Sequence, residues 1–140
     1  MRTSELKKML SDGALEKYSA LYADVKYQTE RMIKAIDRFT EMYGGDRDIA
    51  IFSVPGRSEI MGNHTDHNHG CVLAGAIDRD IIAVASKNND GVVRFHSEGY
   101  PEDRVPLDAC DSPDSAKAFK SNALVAGMGG GFRRAGYAIG

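Results

Sequence analysis

The chain has 140 residues and a formal net charge of -2, with 42% hydrophobic and 27% charged residues. A chain of this length can bury a core, and this composition is typical of a globular protein. The charge balance excludes a general binder of phosphate backbones, because no strong basic field is available to release counterions. No nucleic-acid partner is therefore expected.

The sequence also lacks the signals of export or membrane insertion. The first ten residues are too polar for a signal peptide, and no apolar run approaches the length that spans a bilayer. The two cysteines, Cys71 and Cys110, have no paired spacing, which favours a reduced compartment over a disulfide framework. These features predict a cytoplasmic protein with no membrane partner.

The front of the chain, residues 1–46, is predicted to be helical. Thr3 or Ser4 can cap a short helix that Gly13 ends, and a second helical stripe follows at Leu15, Tyr18, Leu21 and Tyr22. Asp24 is a typical N-cap for a longer helix that stops at Gly44 and its neighbouring glycine. Its apolar stripe predicts a face packed on the domain, formed by Met32, Ile36, Phe39 and Tyr43.

From residue 47 the pattern changes to strands. Residues 49–54 form an apolar run that Pro55 and Gly56 end, as they would end a buried strand. A second run, residues 81–85, reaches a turn whose sequence predicts a hairpin with residues 92–95.

The remainder of the chain is predicted to hold a short strand at residues 105–107 and a last helix. That helix includes residues 116–128 and can reach residue 134, although the glycines at 129–131 weaken it. The final residues resemble the end of a helix followed by the start of a strand. We therefore expect residues 47–140 to be an incomplete domain from a longer protein.

The most polar part of the chain is the segment at residues 55–77. Side chains of this kind, on a glycine-bearing loop, suit a site that grips a polar ligand. They are Arg57, Glu59, Asn63, His64, Asp66, His67, Asn68 and His69. Three kinds of site are open.

A zinc site is the first interpretation, since imidazole and carboxylate are zinc ligands. His64, Asp66, His67 and His69 could supply them, as in metallo-β-lactamase-like hydrolases. Gly62 occupies the position of the leading histidine that those enzymes usually carry, so we expect no metal. A phosphate cradle is the second interpretation, but neither of the usual glycine-rich phosphate motifs is present.

A clamp for a sugar is the third interpretation, and the one that we favour. Sugar hydroxyls both donate and accept hydrogen bonds, and the segment offers amide, carboxylate, imidazole and guanidinium partners for them. These partners lie within ten residues of one another, at Arg57, Asn63, His64 and Asp66.

The same segment resembles the galactokinase signature of the GHMP kinase superfamily. The usual pattern is P-G-R-x-N-(apolar)-I-G-E-H-T-D-Y-N-x-G-x-V-L-P-x-A-I. The chain keeps most of it, at Pro55, Gly56, Arg57, Gly62, His64, Thr65, Asp66, Asn68, Gly70, Val72, Leu73, Ala76 and Ile77. Similarity to the family extends over most of the chain from about residue 29 onward.

The resemblance implies an α+β fold, part of a ribosomal protein S5 domain 2-like N-terminal domain. Its helical N-terminus would be followed by a mostly antiparallel sheet with a packed helix. It also implies ATP- and Mg²⁺-dependent phosphorylation of the anomeric hydroxyl of galactose or a related sugar. Arg57 would stabilise the transition state, Asn63, His64 and Asp66 would contact sugar hydroxyls, and Ser97 would lie near the nucleotide base.

Two departures from the family pattern qualify these expectations. The family has asparagine and then glutamate where this chain has Glu59 and Asn63, so the sugar preference is open. The family's phosphate loop and catalytic aspartate come after the last residue of this chain, so we expect the 140 residues alone to be inactive. A non-catalytic sugar-sensing homologue is the alternative to a kinase.

Overall fold

The computed structural model describes residues 1–62, 65–111 and 119–139, and it has the mixed α+β composition that the sequence predicts. Helices come first, two small antiparallel sheets follow, and a helix comes last. The chain divides into two units, Met1–Ser86 and Lys87–Gly140. In the described part of the chain, no helix has the length and apolar character needed to cross a membrane.

The first unit begins with helix α1, Thr3–Ser11, whose cap differs from the predicted one. Neither Thr3 nor Ser4 caps the helix with its own side chain. Asp46 does so from a distance, because its Oδ1 accepts hydrogen bonds from the Ser4 amide at 2.9 Å and the Thr3 hydroxyl at 2.6 Å. The hydrogen bond from Thr3 is the main cause of the lowered pKa of Asp46.

The second predicted helix is wrong in extent. Only Glu16–Tyr18 forms a single turn of 3-10 helix there. The next helix, α2, spans Val25–Tyr43 and has both predicted ends: the Asp24 carboxylate accepts from the Tyr27 amide at 2.8 Å, and Gly44 follows with a φ of 69°. A positive φ at this point favours glycine, which is why the helix stops here.

The core of the first unit forms where α1 and α2 pack together and against the sheet. Ile36 is completely buried, and Met32 is 6% exposed, which confirms the predicted packed face of α2. The other buried members of this core are Leu10, Leu15 and Ile49.

The sheet of the first unit pairs two long strands, β1 (Ala50–Met61) and β2 (Leu73–Ala85), in antiparallel fashion. The prediction that Pro55 ends the first strand is wrong, because β1 continues through it for six more residues. The strand is also not buried on both faces: Phe52 and Val54 are exposed, while Ile51 packs against the core.

The second unit holds a smaller sheet of β3 (Val92–Phe95) and β4 (Asp103–Pro106). The predicted hairpin between residues 81–85 and 92–95 is wrong, since β3 pairs with β4 and β2 pairs with β1. The strand predicted at 105–107 corresponds to β4, which is followed by a 3-10 turn at Leu107–Cys110.

The last helix, α3, spans Ser121–Arg134 and runs through its glycines without a break. The predicted start of this helix, at residue 116, lies outside the described residues. Gly129 and Gly130 face the turn at Cys110: a Cβ at Gly129 would lie 2.6 Å from the Cys110 sulfur, and one at Gly130 would overlap the Cys110 carbonyl oxygen. Gly129 and Gly130 therefore allow α3 to pack closely against this turn.

This packing predicts opposite effects for alanine at two glycines of α3. Gly130→Ala should destabilise the protein by about 1–3 kcal/mol, because the added methyl group overpacks a buried contact. Gly127→Ala is the matched control, since nothing lies within 4 Å of a Cβ at that position, and it should stabilise the helix by about 0.5–1 kcal/mol. Urea denaturation measures both, and equal effects of the two substitutions would contradict the assigned packing.

Candidate functional site

The polar segment begins at an irregularity in the β1–β2 pairing. Pro55 pairs with Asp80, but Arg57 pairs with Ala76, so three residues of β2 lie opposite Gly56 alone. A Cβ at Gly56 would lie 3.2 Å from the Arg79 carbonyl oxygen. Because such a bulge bends a strand and redirects its side chains, it sets the direction in which β1 continues.

Arg57 and Glu59 lie on the part of β1 beyond this bulge, not on a loop as the sequence suggests. They are two residues apart on the strand and therefore share one face of it. The Arg57 Nη2 atom is 3.6 Å from the Glu59 Oε1 atom, and the Arg57 side chain is 75% exposed. The guanidinium group is thus available to an anionic ligand.

The loop between β1 and β2 is closed at its base by close backbone contacts. The Thr65 hydroxyl donates to the Gly62 carbonyl at 2.7 Å, and the Gly70 amide donates to the Thr65 carbonyl at 2.8 Å. A Cβ at Gly70 would lie 2.6 Å from the Thr65 Cβ, and one at Gly62 would overlap the Cys71 carbonyl. These two glycines of the signature therefore serve the shape of the loop.

The remaining predicted sugar ligands are only partly within the described residues. Asn63 and His64 lie outside them, so the distance from Glu59 to Asn63 is not part of the described structure. The backbone of Asp66 begins a 3-10 turn, Asp66–Asn68, and nothing is described of its side chain.

The zinc interpretation depends partly on the same residues. His67 and His69 are exposed. Among the side chains that the structure describes, no three His, Cys, Asp or Glu groups are placed to share a metal ion. Two of the four candidate ligands, His64 and Asp66, are not within that search.

The candidate nucleotide contact Ser97 lies in the other unit, after β3. Its carbonyl oxygen accepts a hydrogen bond from the Tyr100 amide at 3.0 Å, which closes a turn. Ser97 therefore belongs to the second unit, whereas the sugar-binding candidates belong to the first.

A partly buried polar cluster beside the bulge was not predicted from the sequence. The Asp80 side chain is only 5% exposed, and its Oδ2 accepts hydrogen bonds from Ser53 at 2.6 Å and from Tyr22 at 3.1 Å. Arg31 of α2 forms an ion pair with the Asp80 carboxylate and also donates to the Asp80 carbonyl oxygen at 2.7 Å. The local signal in the sequence was an acidic residue immediately before the apolar run at residues 81–85.

The pKa of Asp80 follows from this environment. Burial disfavours the charged carboxylate, but the hydrogen bonds from Ser53, Arg31 and Tyr22 outweigh burial and lower the pKa below its usual value. Asp80 is therefore ionised in the folded protein at every pH at which an ordinary aspartate is ionised.

The site matches one family profile, described as the galactokinase galactose-binding signature, over residues 37–87. This match includes β1, the loop and all of β2. It confirms the resemblance that the sequence suggests and defines the class: the chain carries the signature of a galactose-binding region.

Relatives with curated names agree with this class. The chain is 34% identical to the galactokinase of Streptomyces coelicolor over 104 residues, which are 74% of this chain and 26% of that protein. It is 40% identical to the Streptococcus thermophilus galactokinase over 75 residues, 51% of this chain and 19% of that protein. The match to the Exiguobacterium sibiricum galactokinase, 34% identical, covers 76% of this chain and 27% of the relative.

The chain is therefore homologous to galactokinases and spans about a quarter of their length or less. No solved structure matches it significantly.

The lowered pKa of Asp80 predicts a specific dependence of stability on pH. A depressed folded pKa contributes stability above the unfolded pKa, about 3.9, and this contribution is lost as the pH falls through the folded value. Asp80→Asn should therefore cost about 1–3 kcal/mol at pH 7, and the difference from wild type should shrink below about pH 4.

Urea denaturation between pH 7 and pH 3 measures this difference. Asp48→Asn is the matched control, because the Asp48 carboxylate is 78% exposed. A difference between Asp80→Asn and wild type that stays constant across this range would contradict the assigned role of the charge.

Proposed function

We propose that this chain is the sugar-binding part of a galactokinase-type kinase, which transfers the γ-phosphoryl group of ATP to the anomeric hydroxyl of galactose or a related sugar. The observation that carries the proposal is the galactose-binding signature over residues 37–87, with Arg57 exposed on the strand inside it. The finer fold assignment, part of a ribosomal protein S5 domain 2-like domain, belongs to the same proposal.

Arg57 is proposed to stabilise the transition state. Phosphoryl transfer depends on positioning and on neutralising the charge that the transferred group carries, and a guanidinium group provides both. The Arg57 side chain is 75% exposed, and its Nη2 atom lies 3.6 Å from the Glu59 carboxylate. Such an exposed ion pair is weak, so a phosphoryl group can compete for the arginine.

The sugar is proposed to be bound by the polar side chains that follow Arg57. Carboxylates accept hydrogen bonds from pairs of sugar hydroxyls, and amides and imidazoles can donate or accept. The proposed ligands are Glu59, Asn63, His64 and Asp66. The closed base of the loop supports this assignment, because the contacts of Thr65 with Gly62 and Gly70 hold the ends of the segment in place.

ATP and Mg²⁺ are proposed as the cosubstrate and cofactor of the full-length protein, with Ser97 near the nucleotide base. Mg²⁺ would neutralise charge on the phosphates. No described cluster of carboxylates in this chain suggests a resident metal site of its own. A cytoplasmic location is consistent with this function and is part of the proposal.

The first test of this function concerns Arg57. In the full-length protein, Arg57→Lys should lower kcat for galactose phosphorylation by about 10²–10³-fold, because a point charge replaces a planar fork aimed at developing charge. A coupled ADP-release assay with galactose and ATP measures it.

Arg38→Lys is the control, since Arg38 is exposed on α2, where it pairs with Glu41, and its kcat should match wild type. Wild-type kcat in Arg57→Lys would contradict the role of Arg57. Galactose binding without any turnover by the wild-type protein would instead favour the sugar-sensing alternative.

The second test concerns the sugar itself. The double substitution Glu59→Asn with Asn63→Glu restores the order of the family pattern. It should change the ratio of kcat/KM between galactose and N-acetylgalactosamine by about tenfold or more, because buried polar groups left unpaired by the wrong sugar are costly. An unchanged ratio would show that these two positions do not select the sugar.

A further inference from the structure

The polar cluster around Asp80 lies at the last regular pair of β1 and β2, Pro55 with Asp80, before the irregularity that precedes Arg57. Pro55, the partner of Asp80 in the register, has no amide hydrogen to offer the neighbouring strand. The Asp80 carbonyl accepts a hydrogen bond from the Arg31 guanidinium at 2.7 Å. A side chain of α2 therefore holds the β2 backbone at the pair where proline interrupts the donors of β1.

The same guanidinium group also binds the Asp80 carboxylate, so one side chain fixes both the backbone and the side chain of this residue. Nη1 donates to the carboxylate and Nη2 to the carbonyl. Two donors in a fixed plane restrict position as well as supplying energy. Ser53 of β1 binds the other carboxylate oxygen at 2.6 Å, which ties both strands to the same group.

This arrangement has a direct consequence for the strand that carries Arg57. On one side of the bulge the register is held by Asp80, and on the other side the next pair is Arg57 with Ala76. Arg57 and Glu59 both lie beyond the irregularity and are two residues apart, so they share one face of β1. A shift of the β2 residues opposite Gly56 would therefore move Arg57 along or across the strand.

We propose that Arg31 and Asp80 form a clasp that positions Arg57 by fixing the bulge in β2. In this proposal Arg31 and Asp80 act on Arg57 through the backbone of the two strands, so both are positioning residues. The consequence for catalysis depends on the proposed function. The consequence for the backbone does not.

The test uses Asp80→Asn and Arg31→Met in the full-length protein, with Ile36→Ala as the control. Ile36 is fully buried in the core of the same unit, so its truncation lowers stability without touching the clasp. All measurements are made at a temperature where every variant is folded. Hydrogen–deuterium exchange is followed by mass spectrometry in peptides covering residues 54–61, and galactose kinase activity is measured alongside.

The clasp variants should exchange about tenfold faster in residues 54–61 than Ile36→Ala does, and their kcat should fall about tenfold or more while KM for ATP stays constant. Identical exchange in the clasp variants and in Ile36→Ala would overturn the proposal. Faster exchange with unchanged kcat would also overturn it, because the bulge would then not position Arg57.

The two proposals fail in different ways. If the wild-type protein neither binds nor phosphorylates galactose, the proposed function fails. The exchange experiment still decides whether the clasp holds the bulge, since it needs no sugar.

Discussion

The carboxylate of Asp80 is the polar group on which the arrangement of the first unit depends. Burying an aspartate is costly unless every lone pair that it loses to desolvation finds a donor. Here the donors come from three places in the chain: Tyr22 before α2, Arg31 within it, and Ser53 on β1. Since no two of them are neighbours in sequence, the carboxylate is satisfied only when helix and both strands are in their native positions.

Local signals in the sequence were sufficient where a structural feature is local. Both ends of α2 follow from single residues, Asp24 and Gly44, that act on the turn beside them. The cap of α1 could not be found in this way, because it comes from Asp46, more than forty residues from Ser4. The strand prediction failed at Pro55 for a related reason: proline ends an ordinary strand, but it is tolerated at a bulge, and a bulge depends on the partner strand.

In the candidate site, too, the features that depend on local sequence were predicted and those that depend on distant residues were not. The chemistry of Arg57 and Glu59 was evident from the sequence, since residue type and spacing alone define a polar segment. Their place on a strand was not evident, because it depends on the register of β2 opposite Gly56. Arg31 and Asp80 were missed for the same reason, as nothing within either residue's local sequence reveals a partner 49 positions away.

The pairing of Arg57 with Glu59 bears on how this site differs from the family pattern. An asparagine at position 59 would place a neutral amide beside the arginine, whereas here a carboxylate lies 3.6 Å from it. The Arg57 side chain is 75% exposed and that of Glu59 27%, so solvent screens the pair and its net contribution is small. The exchange of glutamate and asparagine thus places a carboxylate beside Arg57 on β1, so the charge next to the guanidinium differs from that of the family pattern.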